Sequence, residues 1–347
     1  MPSKDRPDRG VALRRRRRRE GGIALLLALL VLVILAIVIV QMTVTSLHTR
    51  TVAENHVADL QNGCGVRAGY HQAVLFLQAD LDQGGAVDSP GERWAQPIEF
   101  DLGKARVAVS IRDCERSVSL SQLVNDKGEP NPVVVSQLRR LARILRHPPD
   151  VADRIIDYID ADSKGPFEAR ARNERLFNIE ELLRIEGIAP EVVYGGKVSG
   201  EDRKGLAPFV TAWPASLPQG VAAGAVNANT APAEVLQALA DEMTPGAAEA
   251  IVGWRSAPGP DGKPQAFQKV EDVKKVPGVG GAQFEAISSQ LTVKASTFEI
   301  RVRSRVGNLE KAWVYVVRRT GGQQGGVALL SSQRMSDFMT VRPPEEK

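Results

Sequence analysis

Aromatic residues make up only 5% of the sequence, histidines number four and cysteines two, and the 347-residue chain contains no HExxH, GxSxG or Walker-type phosphate loop. Gly262-Lys263 runs into Pro264, not Ser or Thr. Zinc-hydrolase, serine-hydrolase and nucleotide-hydrolase readings therefore lack their residues, and the chain is not expected to be an enzyme. Cys64 and Cys114 fit neither a CxxC pair nor a zinc pattern, which leaves either one disulfide in an oxidising compartment or two buried thiols. Excess positive charge is also missing from the body. The chain holds 45 Lys and Arg against 41 Asp and Glu, but Lys4, Arg6, Arg9 and the run Arg14 to Arg19 all precede residue 23, and the remainder is slightly acidic. The high isoelectric point is therefore not evidence for a nucleic-acid-binding surface spread over the protein.

What the chain does have is a long apolar run. Ile23 to Val40 carries no charge and no proline, and at ~1.5 Å rise per residue it covers about 27 Å of helix. A cationic leader before it and scattered charge after it place the N-terminus in the cytoplasm and the body across the membrane. Gln41-Met42-Thr43-Val44 offers no A-x-A site, unlike a secretory signal peptide. Glu20-Gly21-Gly22 between the arginines and the apolar run resembles the leader of type IV pilins and pseudopilins. That resemblance implies cleavage between Gly22 and Ile23, with Ile23 as the mature, N-methylated terminus.

Further on, Val57, Leu60, Cys64, Ala68, His71 and Leu75 recur every three or four positions, so the helix is expected to continue to about Leu81 with this stripe packed on a domain. Gly63, Gly65 and Gly69 each weaken a helix by ~1 kcal/mol relative to alanine, which makes a kink there an expectation. Ile98–Leu102 and Ala105–Ile111 alternate around Gly103-Lys104 as a hairpin. Helices are expected around Leu138–Leu145, Val151–Ile159 and Ile179–Ile185, the last capped by Asn178. Gly195–Gly224 reads as a polar link, Thr230 as an N-cap ahead of Pro232, and Phe298–Val306 with Lys311–Arg319 as a closing hairpin. The domains expected are a leader, 1–22; a membrane segment, 23–40; a helix-plus-sheet domain, 41–125 and 290–320; an inserted helical domain, 126–289; and a tail of little pattern, 321–347.

Two clusters invite chemistry. Asp157, Asp160, Asp162 and Glu168 gather oxygen ligands near a helix end and are candidates for calcium, although the EF-hand spacing is absent. The alternative is a solvated acidic face partnered by Arg154, Arg170 and Arg172. Val226–Ile287 resembles helix-hairpin-helix (SAM-like) modules that point backbone N–H groups at phosphates. Its five basic residues stand against eight acidic ones, which opposes phosphate binding, and the block reads as scaffold.

Gly21-Gly22, the Ile111-Arg112-Asp113 strand, Ile155–Asp162, Val226–Pro232 and the closing hairpin together resemble the K-type minor pseudopilin of type II secretion systems, over nearly the whole chain. The resemblance implies an α+β fold: a pilin-like long helix, a small antiparallel sheet and a large all-α insertion. It also implies a subunit that caps the pseudopilus with other minor pseudopilins in support of protein export. The subunit would be processed by the prepilin peptidase and held as a single pass in the bacterial inner membrane, its body in the periplasm. No cofactor is required and no nucleic acid is expected, with calcium left open. Leu27, the fifth mature position, stands where most pseudopilins carry glutamate, and this implies the tip of the filament. Cys114–Leu123 departs from the family's asparagine-rich stretch. The competing reading is a membrane-anchored DNA receptor of a competence system built on the helix-hairpin-helix block.

Overall fold

The computed structural model describes residues 9–335 apart from residues 86, 163, 199, 217, 219, 260, 261, 263 and 322–324, and side chains from Gly22 onward, those of residues 169 and 198 excepted. The arginine run of the leader and the tail beyond residue 335 lie outside the described side chains. The chain divides into an N-terminal unit ending at Leu60 and a body from Gln61.

The described part of the first unit is helix. α1 (Arg9–Asp82) is one uninterrupted element, not broken at Gly63, Gly65 or Gly69. Every residue from Gly22 to Val57 is exposed, and this apolar segment is long enough to cross a membrane. Exposed leucine, isoleucine and valine in such density have no stable place in water, whereas lipid accepts them without a protein partner.

In the body, the last turns of α1 rest on a sheet. β1 (Ile98–Leu102) and β2 (Ala105–Asp113) form the expected hairpin, and β2 alternates buried and exposed residues along its length. β3 (Val118–Ser119) leads into the insertion, whose first helices are α2 (Pro132–Ile144) and α3 (Asp150–Ile159). Asn131 caps α2 by accepting from the Val133 N–H. Asn178 does cap Ile179–Arg184 as expected, but that segment is a 3-10 helix. After α4 (Pro190–Tyr194), the segment expected to be a link is structured. It holds the β4 (Gly196–Val198) and β5 (Glu201–Arg203) hairpin and β6 (Val210–Thr211), which pairs in parallel with β3. Leu206, Phe209, Val210 and Ala212 are buried there, so few apolar residues among many glycines still sufficed to anchor it.

β7 (Val226–Asn227) precedes α5 (Ala233–Ala238), α6 (Pro245–Ser256) and α7 (Gly281–Ile287), and β8 (Leu291–Thr292) pairs in parallel with β7. The helical core gathers Leu138, Leu141, Ile155, Leu182, Leu236 and Phe267. The chain then returns to the sheet as β9 (Thr297–Val306), β10 (Leu309–Thr320) and β11 (Gly326–Arg334), in the antiparallel order β1-β2-β9-β10-β11. Asp113 pairs with Phe298, so strands far apart in sequence are neighbours and the whole helical domain hangs between them. β11 corrects the reading of the tail: Gly326–Arg334 is a sheet strand whose small and polar residues gave little alternation.

The packed face of α1 is also not the expected one. Asn62, Gly65, Val66, Gly69, Ala73 and Leu77 are buried, while Cys64, His71 and Leu75 are exposed. A Cβ on Gly65 would stand 2.3 Å from Ser304 Oγ, and one on Gly69 would stand 2.6 Å from Val302 Cγ1. The glycines are the seat that lets helix and sheet approach, so small size outweighed apolarity in choosing the face. Asn62 fixes the register along that seat, donating to Leu309 O at 2.9 Å and accepting from Ser304 Oγ at 3.0 Å.

Candidate functional site

The end of α3 delivers the carboxylates. Asp160 terminates the helix, and Asp162 and Glu168 follow on the loop and the short 3-10 turn beyond it. One oxygen from each of Asp160, Asp162 and Glu168 lies within 4.8 Å of the others. Asp157 stands beside this trio with one oxygen already accepting the Phe167 N–H at 3.0 Å, and it is braced against Gly165, where a Cβ would be 2.0 Å from its Oδ2. Asp160 is 5% exposed, and its Oδ1, like Glu168 Oε1, is buried without a hydrogen-bond donor. Burial, and then the charges of Asp162, Glu168 and Asp157, push the Asp160 carboxyl up to about 6. The arginines that could have neutralised the cluster are engaged elsewhere: Arg154 with Asp150, Arg170 with Glu186, and Arg172 with Glu174 and Glu181. Among the described residues no cation pairs with the four carboxylates. An all-oxygen donor set with orphaned lone pairs suits a hard divalent cation such as calcium.

A second polar assembly, missed in the sequence, joins the inserted domain to the sheet. Asp113 at the end of β2 accepts from Thr230 Oγ1 at 2.6 Å and Asn227 Nδ2 at 2.9 Å. Thr230 is thus not a helix cap, and α5 begins only after Pro232. Asn227 also donates its backbone N–H to Glu115 O at 2.8 Å. The Glu115 carboxylate receives the Ser296 N–H, the Ser296 hydroxyl at 2.6 Å and the Thr297 N–H. Asp88 accepts from the Ala295 N–H and from Arg319, which also reaches Asp80. Asn229 grips Phe267 through both backbone groups, at 3.1 and 2.8 Å, and Arg255 donates to the carbonyls of Ala228 and Ala231. Burial raises the Asp113 carboxyl, and it raises Glu115 to about 7. The only signal of this lock in the sequence is the density of short polar residues in Val226–Thr230 and Cys114–Gln122.

The helix-hairpin-helix block is paired within itself. Trp254 stacks on Phe267 at 4.4 Å, Lys274 pairs with Glu285 at 3.1 Å, and Lys275 pairs with Asp272 at 2.7 Å. The Gly280 N–H of its glycine-rich turn is already given to Gln283. Gly22, Ile23 and Leu27 lie on the exposed apolar stretch of α1, and nothing stands within 4 Å of a Cβ built on Gly22. Cys64 is exposed and Cys114 buried, and both are free thiols. The candidate Cys64–Cys114 disulfide is therefore not formed, because the two side chains belong to different environments.

Comparison with known proteins bears on these features. The family model described as type II secretion system protein K matches residues 226–294, the stretch that holds the helix-hairpin-helix block and contributes Asn227, Asn229 and Thr230 to the polar assembly. The chain is 29% identical to the type II secretion system protein K of Pseudomonas aeruginosa, over 78% of this chain and 81% of that protein. It is 44% identical to ComE operon protein 1 of Bacillus subtilis over 69 residues, 20% of this chain and 30% of that protein. In fold it is similar to a chain of the GspK-GspI-GspJ complex of the enterotoxigenic Escherichia coli type 2 secretion system, with a TM-score of 0.60 at 20% identity, covering 83% of this chain and 99% of that one.

Proposed function

We propose, from the resemblance that this chain bears to protein K of type II secretion systems across its folded body, that it is a minor pseudopilin, non-enzymatic and seated at the tip of a pseudopilus. The observation that carries this reading is the insertion between β2 and β9. A helix-and-sheet scaffold of pilin type here bears a helical domain large enough to obstruct a subunit stacked above it. The GspK-GspI-GspJ neighbour supports other minor pseudopilins as its partners. The body stands in the periplasm and residues 23–40 of α1 in the inner membrane, with the N-terminus cytoplasmic. The prepilin peptidase cuts after Gly22 and leaves Ile23 as the methylated terminus. Leu27 supports the tip placement, since a residue without charge has no salt bridge to offer the amine of a subunit above it inside the membrane.

Engineered cysteines on the body, crosslinked in cells to the other minor pseudopilins, are expected to trap one copy with no subunit above it. Repeated copies along the shaft would overturn the placement. Terminal sequencing after co-expression with the peptidase is expected to start at Ile23.

We also infer that Asp160, Asp162 and Glu168, with Asp157 alongside, hold calcium. Two orphaned, buried carboxylate oxygens support this reading. Bound there, the ion would supply positive charge that ties the end of α3 to the loop after it. The DNA-receptor reading has less support: the lysines of the helix-hairpin-helix turn are neutralised by their own neighbours.

A further inference from the structure

Beside α1, on the face of the sheet that the helix covers, β10 and β11 present a strip that packs against the sheet core on one side and that the described residues leave partly open on the other. The antiparallel register sets Trp313 between Val302 and Arg334, and Tyr315 between Ile300 and Ser332, so all of these side chains share that face. α1 presses on β2 and β9 through Gly65 and Gly69, which leaves Trp313 and Tyr315 only half-buried and Arg334 exposed. Tyr70 of α1 closes the strip from the helix side. Its ring centroid lies 4.4 Å from that of Tyr315, which lies 6.1 Å from that of Trp313. Arg67, one turn before Tyr70, is exposed, and its charge opposes the rise that burial gives the Tyr315 phenol.

The polar atoms of the strip are mostly donors. Both guanidiniums can only donate, and each phenol has a proton to give. Among the described residues neither Arg67 nor Arg334 pairs with a carboxylate, and neither tyrosine hydroxyl has a protein partner. Arg67 donates to the Cys64 sulfur at 3.6 Å. Half-exposed Trp and Tyr flanked by unpaired Arg are the residue types that dominate binding energy in protein interfaces, and guanidinium forks match carboxylates.

We propose that this strip docks an acidic, apolar-flanked segment of a partner protein, its carboxylates received by Arg67 and Arg334 and its apolar side chains covering Tyr70, Tyr315 and Trp313. Complementarity selects that occupant. A free phosphate would satisfy the arginines but leave the three rings in water, and a purely apolar segment would bury two unpaired guanidiniums. The inference rests on the minor-pseudopilin reading for the identity of the partner.

The test uses the full chain in detergent micelles, titrated by thermophoresis with the purified minor pseudopilins of the same system. Arg67→Glu, Arg334→Glu, Tyr315→Phe and the control Arg305→Glu, on the opposite face of the sheet, are compared with the parent. Arg67→Glu and Arg334→Glu are each expected to weaken binding about tenfold, Tyr315→Phe less, and the control not at all, with the loss shrinking as salt rises. If the parent binds and both arginine variants bind equally well, the inference is overturned while the pseudopilin reading stands. If the parent binds none of these subunits, the partner reading falls and takes the inference with it. If the variants lose only adhesion to phosphatidylglycerol vesicles, the strip reads lipid and the proposal is wrong.

Discussion

Gly69 shows how a single absent methyl decides a contact. An alanine Cβ there would stand 2.6 Å from Val302 Cγ1 and 2.9 Å from Val109 Cγ2, with β-sheet side chains that have little room to yield. Gly69→Ala is therefore expected to destabilise the protein by about 1–3 kcal/mol despite the better helix propensity of alanine. Gly63 has only Lys311 Nζ at 3.9 Å in that space, so Gly63→Ala is expected to raise stability by up to about 1 kcal/mol. Denaturant melts of the full chain separate the two signs. Glu115 is the second residue with a large expected effect. Burial lifts its carboxyl from 4.5 to about 7, so the folded state holds the proton more tightly than the unfolded one. Its contribution is thus fully present below pH 4.5 and is lost as pH rises through 7, a swing of up to about 3 kcal/mol. Melts between pH 5 and 8 are expected to show stability falling with pH, and Glu115→Gln is expected to flatten that slope.

Among the elements, the turn after α3 and the glycine-rich turn before α7 look alike in sequence as candidate ligand loops, yet differ in what remains unsatisfied. The turn after α3 leaves Asp160 Oδ1 and Glu168 Oε1 without donors. Millimolar calcium is expected to raise the melting temperature and chelation to reverse it. Asp160→Asn is expected to abolish the calcium response while removing part of the repulsion in its absence. The turn at Pro277–Gly280 has its amide and lysines engaged, and the surrounding block is acidic by eight residues to five. The body from about Thr51 onward, without the arginine leader, is expected to bind duplex DNA at low salt no better than a non-specific acidic protein; micromolar or tighter binding that Gly278→Glu weakens would restore the DNA-receptor reading.

For the whole molecule, the question is what makes a sheet and a large insertion behave as one body. Asp113, Asn227, Thr230 and Glu115 with Ser296 form a buried lock where the chain leaves the sheet and returns. Asn227→Ala strips donors from Asp113 and Asp88 O, leaving buried acceptors unmet at about 1–3 kcal/mol. Calorimetry is expected to show the single transition of the parent split into separate sheet and helical-domain transitions. The sequence by itself determined the apolar span, the helix-plus-sheet class with its helical insertion, and the main helices, because these follow from local periodicity and run length. It also placed the acidic cluster, since those carboxylates lie within twelve positions of one another. Only the tertiary structure decided which face of α1 packs, that Gly326–Arg334 is a strand, that Thr230 serves the lock and not a helix, and that the two cysteines stay apart. Each of these depends on a partner distant in the chain. Gly69 is chosen by Val302, β11 by β10, and Thr230 by Asp113. No window of neighbouring residues contains the energy of such contacts.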